Sequence, residues 1–283
     1  MRLLLSVLLG FLLLTAAPVP AREQSDAPDI EILGFSADGR YFAYEQYGYD
    51  LASDALDAAI FVIDRQTNQA AEGFPFGFIS IEQDGNYPAR VGGHDIDLEM
   101  LRTEDGTPDL GRVRRLVREK AAAKLSALAI GTQGRRLAGV PLTQRSPAAD
   151  TTAPLKFVVW PTIPGAIPDQ QLIYSIDAKL TDVPGDCVNA MPPPREQHVT
   201  FEITAERTYP ETKTVAKKDF PFSWAMEKET CPAGLWISDI IAAPDASQDR
   251  QMLVVIFLTT AWSSAVDSAQ YHATFIEMPE AKE

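Results

Sequence analysis

Six cations fall within one short stretch of the chain: Arg112, Arg114, Arg115, Arg118, Lys120 and Lys124, with Glu119 the only acid among them. Arg135 and Arg136 follow soon after. Side chains of this type at this density can bind an anionic partner such as a lipid headgroup, a polysaccharide or an acidic protein. They can equally form a solvated helix face that pairs with acids of its own domain. A second group, His94, Asp95, Asp97 and Glu99, invites a metal reading, because on a strand the three carboxylates would share one face. Three like charges on an exposed strand repel one another, so a solvated face is the simpler expectation. His94, His198 and His272 lie too far apart in sequence for a zinc-binding spacing. We expect no metal and no cofactor.

Nucleophilic chemistry finds no support. The chain has no G-x-S-x-G elbow and no S-x-x-K, and no catalytic residue is assigned. Two carboxylate pairs, Glu45 with Asp64 and Glu202 with Glu277, are conceivable general acid/base partners for hydrolysis or cleavage of an envelope polysaccharide. Trp160, Trp224, Trp236 and Trp262, with the stretch Tyr41 to Tyr49, could stack on sugars; at β spacing they read more simply as core between sheets.

The elements that would position these residues are mainly β. Ile30 to Asp64 is the most legible stretch. Asp38-Gly39 is a turn signal between two β-rich runs. Tyr41, Ala43 and Glu45 fall on one face of the second run, with Phe42, Tyr44 and Gln46 on the other. Ser36, Asp38, Gly39 and Arg40 form the turn, with Ser36 placed to hydrogen-bond its backbone. The C-terminus echoes the pattern: Ile240 to Asp245 aligns with Ile32 to Asp38, Leu253 to Leu258 with Phe42 to Tyr47, and Tyr271 to Glu277 with Ile60 to Asp64. Lys156 to Trp160, Gln171 to Asp177 and Val199 to Ile203 read as strands between them.

One segment breaks the β pattern. Thr107-Pro108-Asp109 signals a helix start, and Leu110, Val113, Val117, Ala121, Leu125 and Leu128 recur at helical spacing. Gly131 is placed to end it, so an amphipathic basic helix is expected over 108–130. Ser146 to Pro154 is a possible linker within a single domain, 22–283.

Composition narrows the class of partner. The 283 residues carry 25 Lys plus Arg against 39 Asp plus Glu, a formal charge of −14. So acidic a chain is a poor general binder of nucleic acid. Arg2, the apolar run Leu3 to Ala17 and the small-x-small site Val19-Pro20-Ala21 read as a cleaved signal peptide, 1–21. We therefore expect a periplasmic or secreted protein with no integral span after cleavage. Cys187 and Cys231, the two cysteines of the chain, are expected to pair in that oxidising space.

The run I-L-G-F-S-A-D-G-R-Y-F-A-Y, followed by I-F-V-I-D, resembles the repeat of TolB-type and WD40-like β-propellers. Together with the leader, the basic Ala-rich helix running into L-A-G-V-P-L-T and a late Cys before G-L-W-I-S-D-I, it is similar to the predicted secreted bacterial proteins of domain-of-unknown-function family 2259. The resemblance implies secretion and a propeller-like β fold of hairpin units with the helix inserted. It implies no catalytic residues. The function expected is that of a non-catalytic binding or scaffold protein of the bacterial envelope, with an envelope protein or glycan as partner. The alternatives are the polysaccharide enzyme and a peripheral binder of anionic lipid or glycan through the helix.

Overall fold

The computed structural model describes residues 28–50, 55–80, 89–107, 109–139, 155–159, 172–181, 197–209, 213–224, 230–244, 251–263 and 267–278. The segment 1–21 expected to be a signal peptide, the segment 146–154 expected to be a linker, Cys187 and Trp160 lie outside the described residues.

The chain is mainly β, arranged as antiparallel sheets with one α-helix among the described residues. β1 (Asp29–Ser36), β2 (Tyr41–Asp50) and β3 (Ala55–Asp64) form an N-terminal meander. β4 (Gln69–Ala70), β5 (Phe76–Ser80), β6 (Ala89–Val91) and β7 (His94–Ile96) extend it past β3. A 3-10 turn (Leu98–Leu101) leads to α1 (Leu110–Ala127). β8 (Ile130–Thr132) then pairs with β1, and β9 (Arg135–Gly139) with a second sheet.

That second sheet runs β16-β15-β14-β9, where β14 is Thr230–Ala242, β15 is Gln251–Ser263 and β16 is Asp267–Met278. A third runs in the order β10 (Leu155–Val159), β11 (Leu172–Thr181), β12 (Gln197–Tyr209) and β13 (Lys213–Trp224). Its strands β10, β11 and β13 lie against β9, β14 and β16 of the second. Adjoining strands of the chain, β8 and β9, thus join the edges of two different sheets.

Strand alternation decides what each face covers. Phe42 and Tyr44 of β2, with Ile63 of β3, face the second sheet. There they meet Ile241, Val254, Ile256, Tyr271 and Phe275 in one buried cluster. Ala43 of β2 and Ile60 and Val62 of β3 face the other way, where Val113, Val117 and Ala121 of α1 close a second cluster. Those three helix residues recur every four positions, which is why one stripe of α1 is buried. The layers are therefore helix, first sheet, second sheet.

A bulge in β1 makes this possible. Ile32 and Phe35 both reach the face toward the second sheet because the register slips between Ile32 and Gly34. Gly34 sits at φ +113°, and a Cβ there would meet the Thr132 carbonyl oxygen of β8 at 2.7 Å.

Two boundaries differ from the sequence reading. α1 is N-capped by Asp109, whose carboxylate accepts from the Arg112 N–H at 3.1 Å, and it ends at Ala127. Ala129, at φ +51°, makes the left-handed exit expected of Gly131. Gly131 instead lies in β8, because Ile130 and Thr132 leave the helix to pair with Ser36 and Phe35. Likewise, the strand carrying His94 ends at Ile96. Asp97 then caps the 3-10 turn by accepting from the Glu99 N–H at 3.0 Å.

Candidate functional site

The densest charged arrangement among the described residues lies between α1 and the first sheet. Glu31 of β1 and Glu45 of β2 are directly opposed in the strand register. Like charges so placed destabilise a sheet unless neutralised. Arg114 and Arg118, one helical turn apart, lie on the same side of α1 and supply the two countercharges. The Arg114 guanidinium reaches Glu45 at 3.2 and 2.9 Å and Glu31 at 2.6 Å. Arg118 donates to Glu45 from Nε at 2.9 Å and from Nη2, and its Nη2 lies 2.6 Å from Glu31. Tyr47 is the floor, its ring centroid 3.3 Å from the Arg114 Cζ.

Burial divides the cluster. Glu45 is fully buried, whereas the Glu31 side chain is 45% exposed at the rim. The Arg118 hydrogen bond holds the Glu31 carboxyl below the usual carboxylate range. Glu45 holds the Arg114 guanidinium still more firmly protonated than usual.

The remaining cations of α1 are placed differently. Arg112 pairs with Asp109 at 3.2 Å and donates to the Arg102 carbonyl. Lys124 is directed over the Phe76 ring, 5.7 Å from its centroid. Arg115 and Lys120 are exposed. Of the six basic residues, Arg114 and Arg118 thus enter the ion cluster and the other four do not, and sequence spacing alone did not show which belonged to which.

The turn between β1 and β2 is a closed set of hydrogen bonds. Ser36 Oγ donates to Asp38 Oδ1 at 2.6 Å and accepts from the Tyr41 N–H at 2.8 Å. Asp38 Oδ1 accepts from the Arg40 N–H at 3.0 Å, and Gly39 takes φ +67°, which favours glycine. The Arg40 guanidinium then forks onto Asp64 at 3.3 and 2.7 Å. That contact lowers the Asp64 pKa, as the Ser36 hydroxyl lowers that of Asp38.

Neither conceived carboxylate pair is assembled as a reacting couple. Glu45 and Asp64 share a face, but Asp64 opposes Tyr41, four residues along β2 from Glu45. At strand rise that is about 13 Å, beyond the roughly 5–10 Å between paired glycosidase carboxylates. Glu202 lies on β12 of the third sheet, and Glu277 is exposed on β16 of the second.

The His94 to Glu99 carboxylates that invited a metal reading are likewise dispersed. Asp95 pairs with Arg90 at 2.7 Å and Asp97 caps the 3-10 turn. Among the described residues no group of three or more His, Cys, Asp or Glu is placed to hold a metal ion. His94 is on β7 and His272 on β16, in different sheets, while His198 is on β12. Of the aromatic candidates, Tyr44 is core, stacked on Phe61 at 5.0 Å, and Trp236 packs against the inter-sheet cluster. Trp224 and Trp262 lie on β13 and β15, and Cys231 on β14 opposite Trp262.

Sequence reasoning missed the polar side chains that join the first two sheets. Tyr44 Oη donates to the Tyr271 carbonyl at 3.0 Å, and Gln46 Oε1 accepts from the Tyr271 N–H at 2.7 Å. Asn68, at φ +57°, donates to Thr274 Oγ1 at 2.6 Å and accepts from the Phe275 N–H at 2.8 Å. These bonds occupy backbone groups of β16, an edge strand of the second sheet, which otherwise would be open to pairing. No described helix is long and apolar enough to cross a membrane. Comparison with protein-family models and with curated proteins finds no match to this chain.

Proposed function

We propose that the chain is an exported, non-catalytic binding or scaffold protein of the bacterial envelope, built from propeller-like hairpin units. One observation carries this reading. Two of the four carboxylates that the sequence offers for action on a substrate, Glu45 and Asp64, are held by arginines that fasten elements together. Glu45, held by two guanidiniums, and Asp64, forked by one, are poorly available as base or nucleophile. The leader and the family 2259 resemblance supply the compartment. The stacked meanders β1–β3 and β14–β16 suit a rigid framework.

The test is retention of the mature protein on envelope extracts and peptidoglycan at near-physiological salt, beside a glycan and ester turnover panel. Retention without turnover is the expected result. Turnover abolished by E45Q or D64N, with the fold intact, overturns the reading.

A second reading rests on the exposed Arg115 and Lys120. They leave two cations of α1, about 140° apart around the helix axis, open to an anionic lipid or glycan. Flotation with anionic liposomes tests it, and binding that survives R115Q/K120Q/K124Q rules it out.

A further inference from the structure

We propose that Glu31, Glu45, Arg114 and Arg118 form a proton-operated clamp that fastens α1 to the first sheet at neutral pH and loosens it in acid. The argument is one of charge balance in a confined place. Two carboxylates on adjacent strands face two guanidiniums on one helix, all four within one contact network. From β1 the cluster meets Glu31, with Asp29 beyond it opposite Tyr47; from β2 it meets Glu45 and Tyr47. β3 contributes apolar residues, Ile60 opposite Glu45 and Ala58 opposite Tyr47. α1 contributes Arg114 and Arg118. With both acids ionised the charges cancel. A proton taken up by Glu31 leaves one guanidinium charge unmatched beside the other, next to a site where Glu45 is fully buried and water screens little.

Glu31 is the entry point for protons because it lies at the rim. The apolar part of the seam, Val113, Val117 and Ala121 on Ile60 and Val62, carries no ionisable side chain. Opening is therefore local to α1, while β2 and β3 stay held by the inter-sheet cluster on their other face.

The experiment is amide hydrogen exchange on the intact protein between pH 7 and pH 3.5, corrected for intrinsic rates, comparing amides of 117–124 with those of β2. The expected result is an opening constant for α1 that rises with acid by up to about tenfold per pH unit as Glu31 is protonated, while β2 protection is kept. E31Q, a rim substitution, should weaken α1 protection at pH 7 and make its acid dependence shallower by one proton. D64N, at the remote Arg40 pair, should leave α1 unchanged. Loss of α1 and β2 protection together, α1 protection that does not vary with pH, or an E31Q slope equal to that of wild type would each overturn the clamp.

Discussion

Glu31 and Glu45 oppose each other across β1 and β2, and the same two arginines, Arg114 and Arg118, hold both. A repulsive cross-strand pair thereby becomes the seat for a helix. The arrangement fixes α1 on one face of the sheet and in one rotational setting, since only one side of the helix carries both guanidiniums.

Removing either partner should not cost the same. Arg114→Ala strips the fully buried Glu45 of one of its two partners and removes the stack on Tyr47, for a loss of about 3 kcal/mol. Glu31→Gln, at a half-exposed carboxylate, should cost about 1 kcal/mol or less. Urea denaturation at pH 7 measures both. Equal losses would show that burial does not govern the cluster.

Gly34→Ala should destabilise by about 2–3 kcal/mol. The position demands φ +113°, and the new methyl would press on the Thr132 carbonyl. Thermal unfolding reads the loss. A neutral substitution would mean that β1 neither bulges at Gly34 nor approaches the Thr132 carbonyl of β8 there.

The polar bridge from Asn68 to β16 spans more than two hundred residues of sequence. Asn68→Gly keeps the backbone angle accessible but removes both bonds, one of them to a backbone N–H. A loss of about 1–3 kcal/mol is expected, with faster exchange at the Phe275 amide. Asn68→Ala should lose about 1 kcal/mol more, because alanine resists the left-handed conformation. Tyr44→Phe tests the neighbouring bridge to the Tyr271 carbonyl in the same way.

His272 should make stability rise with pH. Burial pushes its pKa down to about 3 from the ordinary 6.5, so the folded protein holds it neutral. Between those values the unfolded chain binds a proton that the fold refuses. The contribution is therefore complete above about pH 6.5 and is lost progressively toward pH 3, at up to about 1.4 kcal/mol per unit. His272→Gln should flatten the stability curve over that window in urea titrations, and an unchanged slope would remove the assignment. Thr259, 3.0 Å from the ring, is a hydroxyl that can serve the neutral imidazole.

Local pattern made much of the framework legible. Asp38-Gly39 marked the first turn, the alternation of Phe42 and Tyr44 with Ala43 and Glu45 separated the two faces of β2, and Val113, Val117 and Ala121 marked the buried stripe of α1. The end of that helix was not legible, because Ile130 and Thr132 pair with β1, a contact that helical periodicity cannot register.

What the sequence determined alone follows from short-range physics: an acidic chain of mainly β runs, one cation-rich helix, and side chains alternating along each strand. Tertiary structure decided which charges remain available. Arg114 and Arg115 are adjacent in sequence, yet the first is enclosed by Glu45 and the second faces solvent. Helix rotation separates neighbours by about 100°, and only the docking of that helix on the β1–β2 face assigns one side to the interior. Coulomb partners sixty-nine or more residues apart leave no periodic trace in the chain. Their meeting is fixed by which strands pair, and that is settled by packing of the whole.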